Sequence, residues 1–286
     1  MEPVRLKLHP RQGDAFLSPA TELLYGGAAG GGKSFLMRAA AVSWAYDVPG
    51  LPVYFFRRNF PDLEKNHLYG PTGLLNLLSP HMKEGSVKYN ASKHMFTFWN
   101  GSVIYLCHLD NPKALYQYQG AEMGALLLDE LTQFLAMEYR YLRARVRLGT
   151  LADKIPEMWR GRFPRILTSA NPGGVGHQWV KQDFIDNCNP MDVRQMPKEE
   201  GGMIRQYIPA RLSDNPTMEQ DYSSKLMGLG SPEMVRAWLD GDWDIVAGAA
   251  FEKLSRETHM VRPFKIPQHW TKKWYRDWET DRKSVV

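Results

Sequence analysis

The segment Gly27-Ala28-Ala29-Gly30-Gly31-Gly32-Lys33-Ser34 has the residue types and spacing of a phosphate-binding loop: Gly, four residues, Gly-Lys, then Ser or Thr. Glycines allow the backbone to wrap around an anion, so that successive N–H groups face phosphate oxygens. Lys33 supplies a positive charge for the outer phosphates, and the Ser34 hydroxyl can bind Mg²⁺. We expect the loop glycines to line the site: Gly27, Gly30, Gly31 and Gly32. This combination favours a nucleoside triphosphate as the ligand.

A second set of reactive side chains is the acid pair Asp129-Glu130, which follows the apolar run of residues 125–128. Such a run is typical of a buried parallel strand, and ligands of open α/β sheets bind where such strands end. Asp129 could hold Mg²⁺ directly or through water, and Glu130 could be the general base that polarises the attacking water. The alternative is an acidic helix start after a core strand. The phosphate-binding loop in the same chain favours the catalytic interpretation.

Two amide side chains could also contact a nucleotide. Asn171 follows a strand candidate at residues 165–169 and could hydrogen-bond a terminal phosphate or its water, although residues 171–174 could equally form a turn. Gln12 lies upstream of the loop, and its amide has the donors and the acceptor needed to read an adenine edge. A capping or surface role is the alternative for Gln12. The pattern alone leaves both alternatives open.

The elements that must position these residues alternate between strands and helices. Residues 23–25 predict a buried strand before the loop, and residues 35–44 predict a helix whose N-terminus faces the phosphates. Residues 53–56 predict a second strand that ends in Arg57 and Arg58. These arginines could contact the nucleotide or a neighbouring subunit, or be ordinary surface residues. Because no acid ends that strand, a Rossmann dinucleotide site is disfavoured.

Two further regions complete the predicted architecture. Asn100-Gly101 stands between two alternating β-rich runs and predicts a hairpin with a two-residue turn at residues 95–106. After residue 202 the predicted elements are a strand at 204–208, a turn or helix cap at 213–216, and helical runs at 218–227 and 232–239. A small helical subdomain appended to the nucleotide-binding fold is the simplest interpretation.

Composition places the chain among soluble globular proteins. Of its 286 residues 43% are hydrophobic and 23% are charged, and no apolar run approaches the ~20 residues of a membrane helix. The N-terminus lacks the apolar core of a secretory signal. Two cysteines are too few for a disulfide framework and indicate a reducing compartment, and the eight histidines have no metal-ligand spacing. We therefore expect a cytoplasmic protein without a membrane partner.

The positive charge is concentrated in one segment. Residues 138–165 contain eight basic and three acidic side chains, a difference of +5 that equals the net charge of the whole chain. A local basic patch is expected of a protein that binds a polyanion. A solvated face that keeps the protein soluble is equally consistent with the charge alone.

Taken together and in order, these motifs resemble the large terminase subunit of tailed bacteriophages, the motor ATPase that packages DNA. The resemblance covers residues 8–255 and is carried by six motifs. These are Gln12, the loop ending in Lys33-Ser34, Leu126-Leu127-Leu128-Asp129-Glu130, Thr168-Ser169-Ala170-Asn171-Pro172, Asp214-Asn215-Pro216 and Gly241-Asp242-Trp243. The loop and the acid pair are common to many ATPases, whereas the later motifs provide the specificity.

The resemblance implies an α/β P-loop NTPase fold of the additional-strand type, with a mainly parallel sheet flanked by helices and a small helical lid. It divides the chain into an ATPase core at 1–200, a lid or linker at 201–255, and a tail at 256–286. ATP and Mg²⁺ are the implied cofactors. The implied roles are adenine contact for Gln12, phosphate and Mg²⁺ binding for Lys33 and Ser34, metal ligand for Asp129, catalytic acid for Glu130, coupling motif for Asn171, and arginine motif for Arg58.

The implied partners are double-stranded DNA, the portal protein, the small terminase subunit and further copies in a ring, at the procapsid portal in the host cytoplasm. One departure concerns the arginine that some terminases place ten residues before the metal-binding acid, because that position is Gln119 here. Either Arg57, Arg58 or one of three later arginines (Arg143, Arg145 and Arg147) reaches the neighbouring site instead, or the contact between subunits differs. The sequence leaves this assignment open.

The second departure concerns the C-terminus. The family continues into an RNase H-like nuclease, whereas residues 276–286 lack the expected Asp-x-Gly character. We expect this tail to be the truncated start of that domain or a non-native end, and we expect no nuclease activity, because one strand end cannot form a two-metal site.

The sequence leaves two other functions open. A superfamily 2 helicase shares the upstream glutamine and the acid pair, but Leu131-Thr132 follow Glu130 where such helicases carry Ala-Asp or x-His. A non-catalytic fragment that binds nucleotide without turnover is the second alternative.

Overall fold

The computed structural model describes residues 6–186, 188–216 and 232–244, together with two short strands near the C-terminus. The chain divides into two compact units, residues 1–247 and residues 248–286. In the second unit, β10 (Trp274–Arg276) and β11 (Lys283–Val285) form an antiparallel pair. The helical run predicted at 218–227 and most of the tail lie outside the described residues.

The first unit is organised around one nine-stranded sheet. Its strands are β1 (Glu22–Gly27), β2 (Pro52–Arg57), β3 (Val87–Asn90), β4 (Met95–Phe98), β5 (Val103–His108), β6 (Ala125–Leu128), β7 (Arg165–Ala170), β8 (Val193–Gln195) and β9 (Ile204–Ala210). The order across the sheet is β3-β4-β5-β2-β6-β7-β1-β9-β8. The six strands from β5 to β9 in this order are parallel, and antiparallel strands extend both edges.

Helices lie on both faces of this sheet. They are α1 (Pro10–Leu17), α2 (Lys33–Asp47), α3 (Phe60–Leu63), α4 (Leu74–Leu77), α5 (Ser79–Lys83), α6 (Ala136–Arg143), α7 (His177–Val180) and α8 (Pro232–Asp240). Glu64–Leu68 and Lys181–Ile185 form π-helical turns that extend α3 and α7. Six short 3₁₀ helices complete the described elements: Pro112–Tyr118, Leu131–Gln133, Gly149–Lys154, Glu157–Trp159, Lys198–Glu200 and Leu212–Asp214.

Two hydrophobic cores, one on each side of the sheet, account for the apolar sequence of the central strands. Successive side chains of a strand point to opposite faces. In β1, Leu23 and Tyr25 belong to one core, while Leu24 belongs to the other. Because both faces are covered, the parallel strands are nearly continuous apolar runs. These runs are the pattern that predicts buried strands from the sequence.

Strand β7 lies between the loop-bearing strand β1 and the acid-bearing strand β6. Leu24 and Leu126 pair with Thr168 and Ile166 of β7, respectively, in parallel register. The carboxyl ends of β1, β7 and β6 therefore meet at one edge of the sheet. This arrangement confirms the predicted additional-strand fold and places the segment after β7 between the phosphate-binding loop and the acid pair.

The hairpin of β4 and β5 forms as predicted, but its turn is one residue longer. The Phe98 N–H donates to the Ser102 carbonyl at 2.9 Å, which leaves residues 99–101 as a three-residue loop. Gly101 has φ +82°, as expected for the left-handed position that ends such loops. The predicted two-residue turn is therefore wrong, because the strands pair in a register that the Asn-Gly signal alone does not determine.

Candidate active site

The loop between β1 and α2 has the backbone shape that its sequence predicts. Gly27, Gly30 and Gly32 have φ of +119°, +77° and +75°, which are favourable for glycine and not for residues with a Cβ atom. Gly32 is the N-cap of α2, whose first residue is Lys33. The N-terminal end of a fifteen-residue helix therefore points its free N–H groups at the loop, which favours anion binding.

Lys33 is the centre of the polar contacts at this edge. Its buried ammonium donates to the Ala28 carbonyl at 2.5 Å and to Asn171 Oδ1 at 2.6 Å. Burial lowers the pKa of Lys33, and the charges of Glu130 and Asp129 oppose this shift. The loop lysine and the asparagine after β7 are thus in direct contact.

Asp129 follows β6 and is almost fully buried. Its carboxylate accepts hydrogen bonds from the Ser169 hydroxyl and from His67 Nε2, the latter at 2.7 Å, and lies 3.5 Å from Arg57 Nη1. Burial alone would raise the pKa of Asp129, but His67, Arg57 and Ser169 hold this pKa well below its ordinary value. The result is an ionised carboxylate at the end of the strand.

Glu130 occupies a strained backbone conformation, with φ 57° and ψ 56° in a residue that is not glycine. Such strain costs about 1–3 kcal/mol and is concentrated at functional sites. Burial, followed by the charge of Asp129, raises the pKa of Glu130, while Lys33, Arg57 and a hydrogen bond from the Asn171 backbone oppose the shift. A carboxylate with a raised pKa beside a phosphate site suits a general base.

Asn171 connects the two halves of the site. Its side chain contacts Lys33, its backbone contacts Glu130, and its carbonyl accepts from Thr132 Oγ1 at 3.0 Å. One residue therefore touches the loop, the candidate base and the segment that follows the base.

Gln12 is buried against the phosphate-binding loop. Its Oε1 accepts from the His9 N–H at 2.9 Å, within the capping box of α1, and its Nε2 donates to the Gly32 carbonyl at 2.8 Å. Both the capping alternative and proximity to the loop are thus present. The adenine contact stays a prediction.

The two arginines after β2 point to different places. The Arg57 guanidinium lies beside Asp129, whereas Arg58 Nη1 donates to both carboxylate oxygens of the buried Glu138, at 2.9 and 2.8 Å. The structure brings Arg57 to the acid pair and does not bring Arg58 there. The catalytic role of Arg58 stays a prediction, and it would require the ion pair with Glu138 to open.

His67 is the site residue that sequence reasoning missed. It lies 62 positions before Asp129, so no spacing rule connects the two residues. Burial lowers the pKa of His67, against the opposing charge and hydrogen bond of Asp129, which favours a neutral imidazole.

Residues from the predicted lid pack on the loop from outside. The Ala29 N–H donates to the Trp238 carbonyl of α8 at 2.6 Å, and Asn215 Nδ2 donates to the Gly30 carbonyl at 2.6 Å. A Cβ atom on Gly241 would lie 2.8 Å from the carbonyl carbon of Gly27. The loop is therefore supported by backbone contacts that leave no room for a side chain at position 241.

Gly241→Ala should lower the free energy of unfolding by more than the same change at Gly120. Both glycines have positive φ, where alanine costs about 1–2 kcal/mol, but a Cβ atom on Gly120 would meet nothing within 4 Å. The difference between the two variants therefore isolates the contact with the loop. Urea unfolding measures both values, and equal losses would contradict a tight contact at Gly241.

Much of the charge in the basic segment is either buried or paired with carboxylates, and most of these pairs are exposed. Arg165 is buried, and four other arginines pair with carboxylates. These pairs are Arg140–Asp183 at 3.9 Å, Arg143–Glu22 at 3.1 Å, Arg147–Glu122 at 3.2 Å and Arg160–Glu157 at 2.6 Å. A polyanion contact through this segment stays a prediction.

Neither a metal site made of protein side chains alone nor a membrane-spanning helix is present in the described part of the chain. No three His, Cys, Asp or Glu side chains there converge so that they could hold a metal ion by themselves. Likewise, none of the helices in that part has the length and apolar character needed to span a bilayer.

A phosphate-binding loop, an acid pair two strands away and a strand inserted between them define an additional-strand P-loop NTPase fold. Within this class the chain belongs to the family of large terminase subunits. Residues 24–257 match the family described as terminase large subunit, T4likevirus-type, N-terminal. This result confirms the resemblance found in the sequence and favours it over the helicase alternative. A comparison with curated protein sequences found no match.

Solved structures agree on the fold. The large terminase from a thermophilic bacteriophage matches with a TM-score of 0.61 at 14% identity, covering 91% of this chain and 60% of that chain. Its complex with ADP matches with a TM-score of 0.61 at 14% identity, covering 90% and 60%. The large terminase ATPase domain of Thermus phage P74-26 matches with a TM-score of 0.51 at 13% identity, covering 83% and 94%. The chain thus spans 60% of the first relative.

Proposed function

We propose that this chain binds ATP with Mg²⁺, hydrolyses the ATP, and serves as the motor subunit that moves double-stranded DNA into a viral procapsid. The observation that carries the proposal is the position of Asn171, which contacts both the loop lysine Lys33 and the candidate base Glu130. A residue in this position can transmit the state of the terminal phosphate to the rest of the fold.

The residues present fit a magnesium nucleotide. Mg²⁺ is usually held by one or two carboxylates, by substrate phosphates and by water. The ionised carboxylate of Asp129 and the hydroxyl of Ser34 are hard oxygen donors of the required kind. An ionised carboxylate has about four lone-pair sites, and Asp129 has three partners in the described residues. When bound, Mg²⁺ would neutralise phosphate charge.

The side chains of the site have separate roles in the proposed hydrolysis. Lys33 and the N-terminus of α2 stabilise negative charge on the outer phosphates. Glu130 accepts a proton from the attacking water. Asn171, released from Lys33 when phosphate binds this lysine, passes the change to Thr132 and to the segment after the acid pair. Gln12 beside Gly32 would read the adenine edge.

Family membership supports a set of proposed partners. We propose double-stranded DNA, the portal protein, the small terminase subunit and further copies of the chain in a ring, at the procapsid portal in the host cytoplasm. The solved complex of a relative with ADP supports nucleotide binding at this fold. A second candidate function is nucleotide binding without turnover, because Arg58, the arginine predicted to act in catalysis, is paired with the buried Glu138.

Lys33→Ala should lower the rate of ATP hydrolysis about 100- to 1,000-fold, because it removes a preorganised positive donor. We would measure phosphate release at high protein concentration, with and without linear duplex DNA. Lys88→Ala is the matched control, since Lys88 is exposed on the edge strand β3.

Hydrolysis that DNA stimulates and that Lys33→Ala abolishes supports the motor function. Binding of ATP by the wild-type chain without any hydrolysis would select the non-catalytic alternative. Absence of ATP binding would reject both functions.

A further inference from the structure

The chain that follows β2 turns back and places a histidine beneath the acid pair. The Asn59 side chain accepts from the Asp62 N–H at 2.9 Å and so begins α3. The helix then widens into the π-helical turn Glu64–Leu68, which contains His67. Single π-helical turns are rare and frequently occur at functional sites. Here the turn directs a fully buried imidazole toward the end of β6.

The position of this imidazole is held from two sides. The buried Arg38 of α2 donates to the Asn66 carbonyl at 2.7 Å and to Thr72 Oγ1 at 2.9 Å, which ties the π-helical turn to the helix that begins at the phosphate-binding loop. The ring of Phe55 in β2 packs on the ring of His67 with a centroid distance of 4.5 Å. His67 therefore contacts Asp129 from a preorganised position.

The hydrogen bond between them has a defined direction. An ionised carboxylate can only accept, so His67 Nε2 carries the hydrogen and donates to Asp129 Oδ2 at 2.7 Å. The Ser169 hydroxyl donates to the other oxygen, Oδ1. The two donors together determine the plane of the carboxylate, and thus which lone pairs remain directed at the nucleotide site.

We propose that His67 is a positioning residue for Asp129. The Nε2–H of His67 orients the Asp129 carboxylate, which is the proposed metal ligand. The inference rests on the proposed binding of a magnesium nucleotide. Hydrogen-bond partners of metal-binding carboxylates typically contribute 10–100-fold to metal affinity or activity. The expected phenotype is therefore a changed magnesium requirement, because nucleotide contacts made by the loop do not involve His67.

Two amide substitutions test the position of the donor. His67→Gln places an amide nitrogen close to the position of Nε2, whereas His67→Asn places it near Nδ1 and out of reach of Asp129. We would measure the affinity for a non-hydrolysable ATP analogue in EDTA and over a magnesium titration, and then the magnesium dependence of hydrolysis. We expect His67→Asn to need about 10–100-fold more magnesium, and His67→Gln to stay near the wild-type requirement.

The controls separate this inference from the proposed function. Affinity in EDTA should be unchanged in both variants, because it does not depend on the metal. A wild-type magnesium requirement in His67→Asn would overturn the inference, and so would equal losses in both variants. If both variants lose only stability, His67 is a packing residue and the inference is also wrong. If the wild-type chain itself binds no nucleotide, the proposed function fails instead.

Discussion

Replacing Glu130 with glutamine should lower the rate of ATP hydrolysis about 100- to 10,000-fold and leave ATP binding intact. Glutamine has nearly the shape of glutamate and keeps an acceptor for the Asn171 backbone, but it cannot take a proton from water. The substitution also removes a negative charge beside Asp129, so it does not weaken the attraction for a magnesium nucleotide. A defect confined to turnover is therefore the expected signature of the general base.

The measurement is single-turnover hydrolysis combined with equilibrium binding of ATP. Glu84→Gln removes the same charge from an exposed glutamate and serves as the matched control. Wild-type turnover in Glu130→Gln would reject Glu130 as the base. A loss of binding equal to the loss of turnover would instead assign Glu130 to nucleotide binding.

The phosphate-binding loop and the acid pair could be predicted because each depends on a few consecutive residues. The loop needs glycines at left-handed backbone positions, and the acid pair needs an apolar run before it. Both requirements are local and can be read from consecutive residues. The place of β7 between β1 and β6 is different. Its residues identify a buried strand but not the neighbours of that strand, so the additional-strand order followed from the family resemblance alone.

The sequence could not tell which of the adjacent residues Arg57 and Arg58 reaches the acid pair. Successive side chains at a strand end leave on opposite faces of the sheet. Arg57 reaches Asp129 and Arg58 reaches Glu138, so the two have separate partners although they are adjacent in the chain. Composition and spacing describe both arginines equally well. Only the register of β2 against β6 distinguishes them.

Individual ion pairs between residues far apart in the chain could not be predicted. Glu22 at the start of β1 is a charged side chain that is fully buried. Its main partner, Arg205 of β9, is 183 positions away and becomes a neighbour only because β1 and β9 pair in parallel. Charge patterning along the chain carries no information on such a pair.

Glu22→Ala should lower the free energy of unfolding by about 3–5 kcal/mol, because it removes the closest carboxylate from the buried Arg205, which keeps only a longer contact with Glu200 Oε2 at 3.6 Å and the Asp183 carbonyl at 3.0 Å. The Glu22 carboxylate accepts from Arg205 Nε at 2.7 Å, from Arg143 Nη1 at 3.1 Å and from the Tyr139 hydroxyl at 2.5 Å. Arg205 is itself buried, with its guanidinium over the ring of Phe184. The network joins β9 and α6 to the start of β1, the strand that carries the phosphate-binding loop at its other end.

Urea unfolding of Glu22→Ala beside Glu157→Ala provides the comparison. The pair of Glu157 with Arg160 is 2.6 Å long but exposed, and exposed pairs contribute only ~0–1 kcal/mol. A double variant, Glu22→Leu with Arg205→Met, should recover much of the loss, because apolar replacement of a buried pair is often neutral. Recovery will be incomplete, since Tyr139 and Arg143 still lose their acceptor. If Glu22→Ala loses no more stability than Glu157→Ala, water reaches this network and its burial does not determine its energy.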